Sequence, residues 1–139
     1  MIVLDTNVLS EILRPKPDSR VLVWFAAQPA TSLFTTTLTR AEILYGVRVL
    51  PAGRRQEKLD AAVNAIFDED FLDRVLPVDD PAAIAFSEIA AHRKAVGRPM
   101  SQMDAMIAAI VRSRGALLAT RNTDDFVDCD LSLVDPWAV

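Results

Sequence analysis

Acidic residues fall where a parallel sheet would present a ligand-binding edge. Asp5 is the first polar residue after an apolar run, Ile2–Leu4, that predicts a buried strand. Glu42 and Asp104 fall in the first turns of predicted helices, and the polar run Thr120–Asp125 follows another predicted strand. Ligands of open parallel sheets bind beyond the carboxyl ends of the strands, so we expect these acids to meet at one edge.

Each acid taken alone has a simpler explanation as part of a helix cap. Thr39 and Glu42 fit the capping-box pattern, and Ser101 and Asp104 resemble it with a shorter acid. Asp5 alone could belong to a capping turn, with Asn7 or Thr6 capping the following helix. Their shared edge is what favours a functional site over a set of caps.

Clustered carboxylates require either protonation or a cation. Two carboxylates about 5 Å apart repel by roughly 3 kcal/mol at an effective dielectric of 20. The single histidine, His92, and the single cysteine, Cys129, lie far apart in the sequence, which disfavours zinc. Oxygen ligands select Mg²⁺ or Mn²⁺, and a water on such an ion can attack a phosphodiester. The acids therefore predict metal-dependent phosphodiester hydrolysis.

The elements that must position these acids alternate between strand and helix. Strands are predicted at 2–5, 33–36, 74–78, 116–120 and 131–134, and helices at 8–13, 21–27, 40–50, 54–67, 81–95 and 101–114. Alternation of this kind gives a sheet covered by helices on both faces, with right-handed crossovers. We therefore expect a single α/β domain over residues 1–139, a three-layer α/β/α fold with a mostly parallel sheet of four or five strands.

Four separated segments resemble one known family over essentially the whole chain, in the right order and spacing. They are the opening Met1–Ser10, Thr39–Gly46, the helix start Asp104–Ala109, and Leu118–Phe126. Together they resemble the PIN domain, and are most similar to the VapC and FitB-like toxins of type II toxin–antitoxin systems. The resemblance implies a Mg²⁺- or Mn²⁺-dependent endoribonuclease. It also implies a homodimer neutralised by a small antitoxin whose C-terminal segment lies over the site.

The resemblance places the family's three firmest acids, its metal ligands, on Asp5, Glu42 and Asp104. We assign the ion chiefly to Asp5 and Asp104. The fourth acid is ambiguous, because Asn122 stands where many relatives carry Asp. Asp125, or Asp124 as the less favoured choice, would supply the missing charge. We therefore expect four catalytic acids: Asp5, Glu42, Asp104 and Asp125.

Polar neighbours complete the expected site. Thr6, Asn7 and Thr120 are expected to orient Asp5 or the attacking water, and Asn122 to act as a positioning residue. Arg40 and Arg121 are candidate phosphate contacts, with Arg48, Arg93 and Arg98 as further local choices. An RNA substrate would then be selected by shape and a few arginines.

The charge balance excludes a general nucleic-acid coat protein. The chain of 139 residues has a net charge of −4 at pH 7 and an isoelectric point near 4.9. Residues 1–60 hold 8 Lys/Arg against 6 Asp/Glu, and residues 61–139 hold 7 against 13. An acidic protein of this kind suits a basic inhibitory partner. With no targeting signal, no bilayer-length apolar run and one cysteine, we expect a cytoplasmic protein without membrane contact.

Two other functions share parts of this pattern. A phospho-accepting receiver domain has the same fold class and acid charge, but it needs a lysine at a strand end. None of the three lysines, Lys16, Lys58 and Lys94, ends a predicted strand. The alternative that stays open is a catalytically inactive PIN-like module that binds RNA or protein, favoured only by Asn122.

Overall fold

Five short parallel strands form the central sheet in the computed structural model, which describes residues 1–139. The strands are β1 (Ile2–Leu4), β2 (Leu33–Thr36), β3 (Val75–Leu76), β4 (Leu117–Ala119) and β5 (Ser132–Val134). Their order across the sheet is β3-β2-β1-β4-β5, and every neighbouring pair is parallel. The predicted α/β class and strand count are confirmed, and β1 occupies the centre, with Asp5 directly after it.

Six helices cover the sheet. They are α1 (Thr6–Ile12), α2 (Ser19–Ala27), α3 (Thr37–Arg48), α4 (Arg54–Ala65), α5 (Asp80–Ala95) and α6 (Gln102–Ser113). The predicted helix 54–67 is shorter in the structure, because α4 ends at Ala65. The chain continues directly into a π-helical turn, Ile66–Asp70. A 3₁₀ turn at Thr123–Phe126 follows β4. None of the helices has the length and apolarity that a bilayer crossing demands.

The core lies on both faces of the sheet, as three layers require. Successive strand residues point to opposite faces, so Val3 and Leu118 pack with α5 and α6 while Leu4 and Ala119 pack with α1–α4. All four of these side chains are fully buried. The near-continuous apolar sequence of β1 and β4 therefore reflects a sheet buried on both sides.

Two predicted helix caps are wrong in position. Asp5, not Thr6 or Asn7, caps α1. Helix α3 begins at Thr37, since the Thr36 hydroxyl accepts a hydrogen bond from the Thr39 amide at 3.1 Å. Thr36, at the end of β2, caps the helix about one turn before the predicted cap at Thr39. Glu42 therefore lies in the second turn of α3 and not in the first. The cap predicted for α6 is confirmed, because the Ser101 hydroxyl accepts from the Asp104 amide at 3.2 Å.

Candidate metal-dependent active site

Asp5 lies at the carboxyl end of the central strand with its side chain almost completely buried, at 5% exposure. One carboxylate oxygen accepts the Thr6 amide at 2.8 Å, and the other accepts the Thr120 hydroxyl at 2.8 Å. Burial raises the pKa of Asp5, and these two hydrogen bonds oppose that rise. Asp5 is therefore a fixed acceptor to which no lysine or arginine side chain donates a hydrogen bond.

Thr120 is the junction of a hydrogen-bond network around Asp5. While its hydroxyl donates to Asp5, it accepts from the Asn7 side-chain amide at 3.2 Å and from the Asn122 backbone amide at 3.1 Å. Asn7 also lies 3.4 Å from the second Asp5 oxygen and accepts the Arg121 amide at 3.2 Å. The network joins the start of α1 to the end of β4, two segments more than 100 residues apart in sequence.

Thr6 donates a hydrogen bond to Asp5 from its backbone amide, whereas its side chain contacts α3. The Thr6 hydroxyl donates to the Thr39 hydroxyl at 3.1 Å. The adjacent half-buried Glu42 has a raised pKa, first because of burial and then because of the Asp5 charge, with the Thr6 side chain opposing the rise. Glu42 and Asp5 thus repel each other across the start of α1.

Asp104 and Asp125 extend the same negative field. Burial raises the pKa of Asp104, the Ser101 hydrogen bond opposes this, and the Asp125 charge raises it further. The charges of Asp104 and Asp125 also raise the pKa of Asp5. Asp124 is not among the charges acting on these acids, which favours Asp125 over Asp124 as the fourth acid.

The residues at this edge fit a hard divalent cation. Every candidate ligand is a carboxylate, hydroxyl or amide oxygen, and Mg²⁺ prefers such donors. No three acid, histidine or cysteine side chains stand close enough together to ligate one ion directly. One or two carboxylates with several waters is the arrangement in which Mg²⁺ is usually held. Asp5 and Asp104, with Glu42 and Asp125 beyond the waters, would provide it.

The arginines proposed as phosphate contacts have different surroundings. Arg40 pairs with Asp68 at 3.2 Å and lies over the Phe67 ring. Arg121 is exposed, with its guanidinium 5.0 Å from the Trp137 ring centroid. The suggestion that Arg93 meets RNA is wrong, because its side chain is buried and donates to backbone carbonyls. Arg121 therefore remains the better placed candidate, one residue after Thr120.

A family model described as PIN domain matches residues 2–130 of the chain. The chain belongs to the PIN-domain family. It is 38% identical over 137 residues to the plasmid stability protein StbB of Pseudomonas syringae pv. tomato, covering 99% of both chains. It is 35% identical to the VapC ribonuclease Y4jK of Sinorhizobium fredii, covering 99% of this chain and 98% of that one.

Solved structures of the same family superpose on this PIN domain closely. The structure of FitAB bound to the IR36 DNA fragment matches with a TM-score of 0.94 and 33% identity, covering 100% of this chain and 97% of that one. VapBC-5 of Mycobacterium tuberculosis, a member of the VapBC family of toxin–antitoxin systems, matches with a TM-score of 0.68 and 28% identity, covering 95% and 94%. The resemblance to the VapC and FitB-like toxins is confirmed.

A groove beside the acids of this PIN domain was missed by the sequence analysis. It has a volume of about 790 Å³ and runs from Thr6 and Glu42 between α1, α3 and α4. Its aliphatic lining comes from Leu13, Ile43, Val47, Leu59 and Val63. Four cationic residues also line it: Arg14, Arg54, Arg55 and Lys58. The sequence shows the basic cluster of residues 54–58, but a groove built from three separate helices leaves no local signal.

Proposed function

We propose that this PIN domain is a metal-dependent endoribonuclease and the toxin of a type II toxin–antitoxin pair. The observation that carries the proposal is that Asp5, Glu42 and Asp104 lie at one edge of the sheet with raised pKa values, first because of burial and then because of neighbouring acid charges, that of Asp125 among them. Its fold and its identity to a VapC ribonuclease supply the reaction class. A buried Asp5 beside two half-buried acids is unfavourable without a cation, so an ion held by them would explain the cluster.

The chain's own residues divide the work of phosphodiester hydrolysis. Asp5 and Asp104 would hold Mg²⁺ or Mn²⁺, which supplies a Lewis acid and a water of lowered pKa when bound. Thr120 and Asn7 fix the Asp5 carboxylate by hydrogen bonds, so it need not reorganise during the reaction. Glu42 and Asp125, whose charges belong to the same cluster, would accept protons from waters in the site. Arg121 would contact a phosphate beside the cleaved bond.

The partner we propose is a small antitoxin protein, and the assembly a homodimer of this chain bound by it. Support comes from the FitAB and VapBC complexes to which the fold corresponds. The aliphatic groove that begins at Glu42 would seat apolar side chains of the antitoxin. A cationic or amide side chain following them would then reach the acids, neutralise their charge and exclude RNA.

RNA cleavage by the purified protein tests the reaction. Wild-type protein should cut RNA in Mg²⁺ or Mn²⁺, lose activity in EDTA and regain it when the ion is restored. Asp104→Asn should reduce the cleavage rate by at least 100-fold while its circular dichroism stays unchanged. Asp60→Asn, at an exposed acid of α4, is the matched control and should cleave as the wild type does. Full cleavage by Asp104→Asn would contradict the proposal.

The alternative is a PIN-like module that binds RNA or protein without cleaving it. Asn122 favours this function, since an amide carries no charge where many relatives are acidic. The acids that remain oppose it, because the buried Asp5 beside the half-buried Glu42 and Asp104 destabilises a domain that makes no use of their charge. Calorimetric titration decides between them, for a protein that binds neither Mg²⁺ nor Mn²⁺ would be the inactive module.

A further inference from the structure

Arg93 is a buried arginine without a carboxylate hydrogen-bond partner. It lies in the last turn of α5 with only 5% of its surface exposed. Its Nε donates to the carbonyl of Arg98 at 2.5 Å, and one Nη donates to the carbonyls of Asp125 and Val127 at 3.0 and 2.8 Å. The same Nη lies 3.6 Å from the Cys129 sulfur. Burying a charge in this way is costly, so its partners require an explanation.

The carbonyls to which Arg93 donates belong to two segments, one that leads to Asp104 and one that carries Asp125. The first, Arg98, stands three residues before Ser101, whose hydroxyl caps α6 and accepts the Asp104 amide. The other two are in and next to the 3₁₀ turn that carries Asp125. One guanidinium therefore binds both the segment that precedes α6 and Asp104 and the 3₁₀ turn of Asp125, and it holds both against the end of α5.

The positive charge of Arg93 also acts on one of the site's acids, Asp104. Its positive charge lowers the pKa of Asp104, in opposition to burial and to Asp125. Because its direct acceptors are neutral carbonyls, the guanidinium keeps a positive charge that acts on Asp104.

We propose that Arg93 is a positioning residue that sets the separation of Asp104 and Asp125 and thereby the affinity of the site for a divalent cation. This inference rests on the proposed function, since it concerns the same ion. Arginine is required by geometry, because Nε and Nη bind carbonyls on two different segments. A lysine keeps the charge but has only one nitrogen in place of the two that bind these segments.

Mn²⁺ binding followed by electron paramagnetic resonance tests the proposal without reference to cleavage. Arg93→Lys should bind Mn²⁺ about 10-fold to 100-fold more weakly than the wild type, the loss usual when a residue supporting metal ligands is changed. Arg112→Lys makes the same chemical change at a surface pair with Glu88 and should leave the affinity unaltered. Each titration is run on folded protein, well below its measured midpoint of unfolding.

The outcomes separate this inference from the proposed function. A purely structural Arg93 would lower the melting temperature of Arg93→Lys while the folded protein bound Mn²⁺ within twofold of the wild type, which overturns the inference alone. A wild type that binds no Mn²⁺ overturns the function and the inference together. Should Arg93→Lys not fold, Arg93→Gln replaces it, since the amide keeps two donors without a buried charge. The same weakening is expected there, and unchanged affinity refutes the inference.

Discussion

Replacing Thr120 by valine tests whether its hydroxyl organises the site. Valine has nearly the same shape, and Thr120 is 0% exposed, so the substitution removes the hydroxyl and little else. Three hydrogen bonds are lost: one donated to Asp5 at 2.8 Å, and two accepted, from Asn7 at 3.2 Å and from the Asn122 amide at 3.1 Å.

The expected loss of stability follows from these bonds. A hydrogen bond to a charged group contributes about 1.5–3 kcal/mol and each neutral one about 1 kcal/mol. The methyl group gained offsets about 0.8 kcal/mol. The free energy of unfolding of Thr120→Val should therefore fall by about 3 kcal/mol at pH 7. For a chain of this length that corresponds to a decrease in melting temperature of roughly 10 °C.

Calorimetric or denaturant unfolding measures this difference, and Thr120→Ser is the control. Serine keeps the hydroxyl and loses only the buried methyl group, at a cost of about 1 kcal/mol. Mn²⁺ affinity should fall in Thr120→Val and persist in Thr120→Ser, because only valine removes the Thr120 hydrogen bond that helps to fix the Asp5 carboxylate. A valine variant as stable as the wild type, with unchanged Mn²⁺ affinity, would refute the role of the network.

Two further predictions concern Glu42 and the groove. Because the pKa of Glu42 is raised, its ionised form destabilises the folded state above that pKa. Glu42→Gln should therefore raise the melting temperature in EDTA at pH 7, an advantage that fades as the pH falls through the raised pKa and is gone below the ordinary pKa of Glu. An equal gain at acid pH would contradict this origin. Ala62→Glu, inside the groove, should weaken antitoxin binding at least 10-fold, measured by calorimetry, and leave RNA cleavage intact, whereas the exposed neighbour Ala61→Glu should change neither. Equal antitoxin affinity in both variants would place that partner elsewhere.

Residues that follow strands were the most predictable part of the site. An apolar run ending in Asp5 and another ending in Thr120 have to meet at one edge once the strands are parallel neighbours, and β1 and β4 are. The cap of α6 was equally local, since Ser101 and the Asp104 amide are three residues apart. Features of this kind can be predicted because the interacting residues are close in sequence or follow neighbouring strands.

Features that depend on tertiary contacts could not be predicted in the same way. The sequence Thr35-Thr-Thr-Leu-Thr39 offers several capping threonines, and only the end of β2 decides that Thr36 is used. Arg93 has the sequence context of a solvated helix residue, yet the turn after β4 folds over it. The groove needs side chains from α1, α3 and α4, whose relative positions no short segment determines.

Anomalous diffraction from crystals grown with Mn²⁺ tests the central claim most directly. The acids at the carboxyl edge of the sheet are expected to bind the ion between Asp5 and Asp104, with Glu42 and Asp125 within reach of its waters. An anomalous peak at that position in the wild type, absent from Asp5→Asn crystals, is the predicted result. A wild-type edge without a peak at saturating Mn²⁺, or a peak bound only by residues elsewhere, would contradict the account.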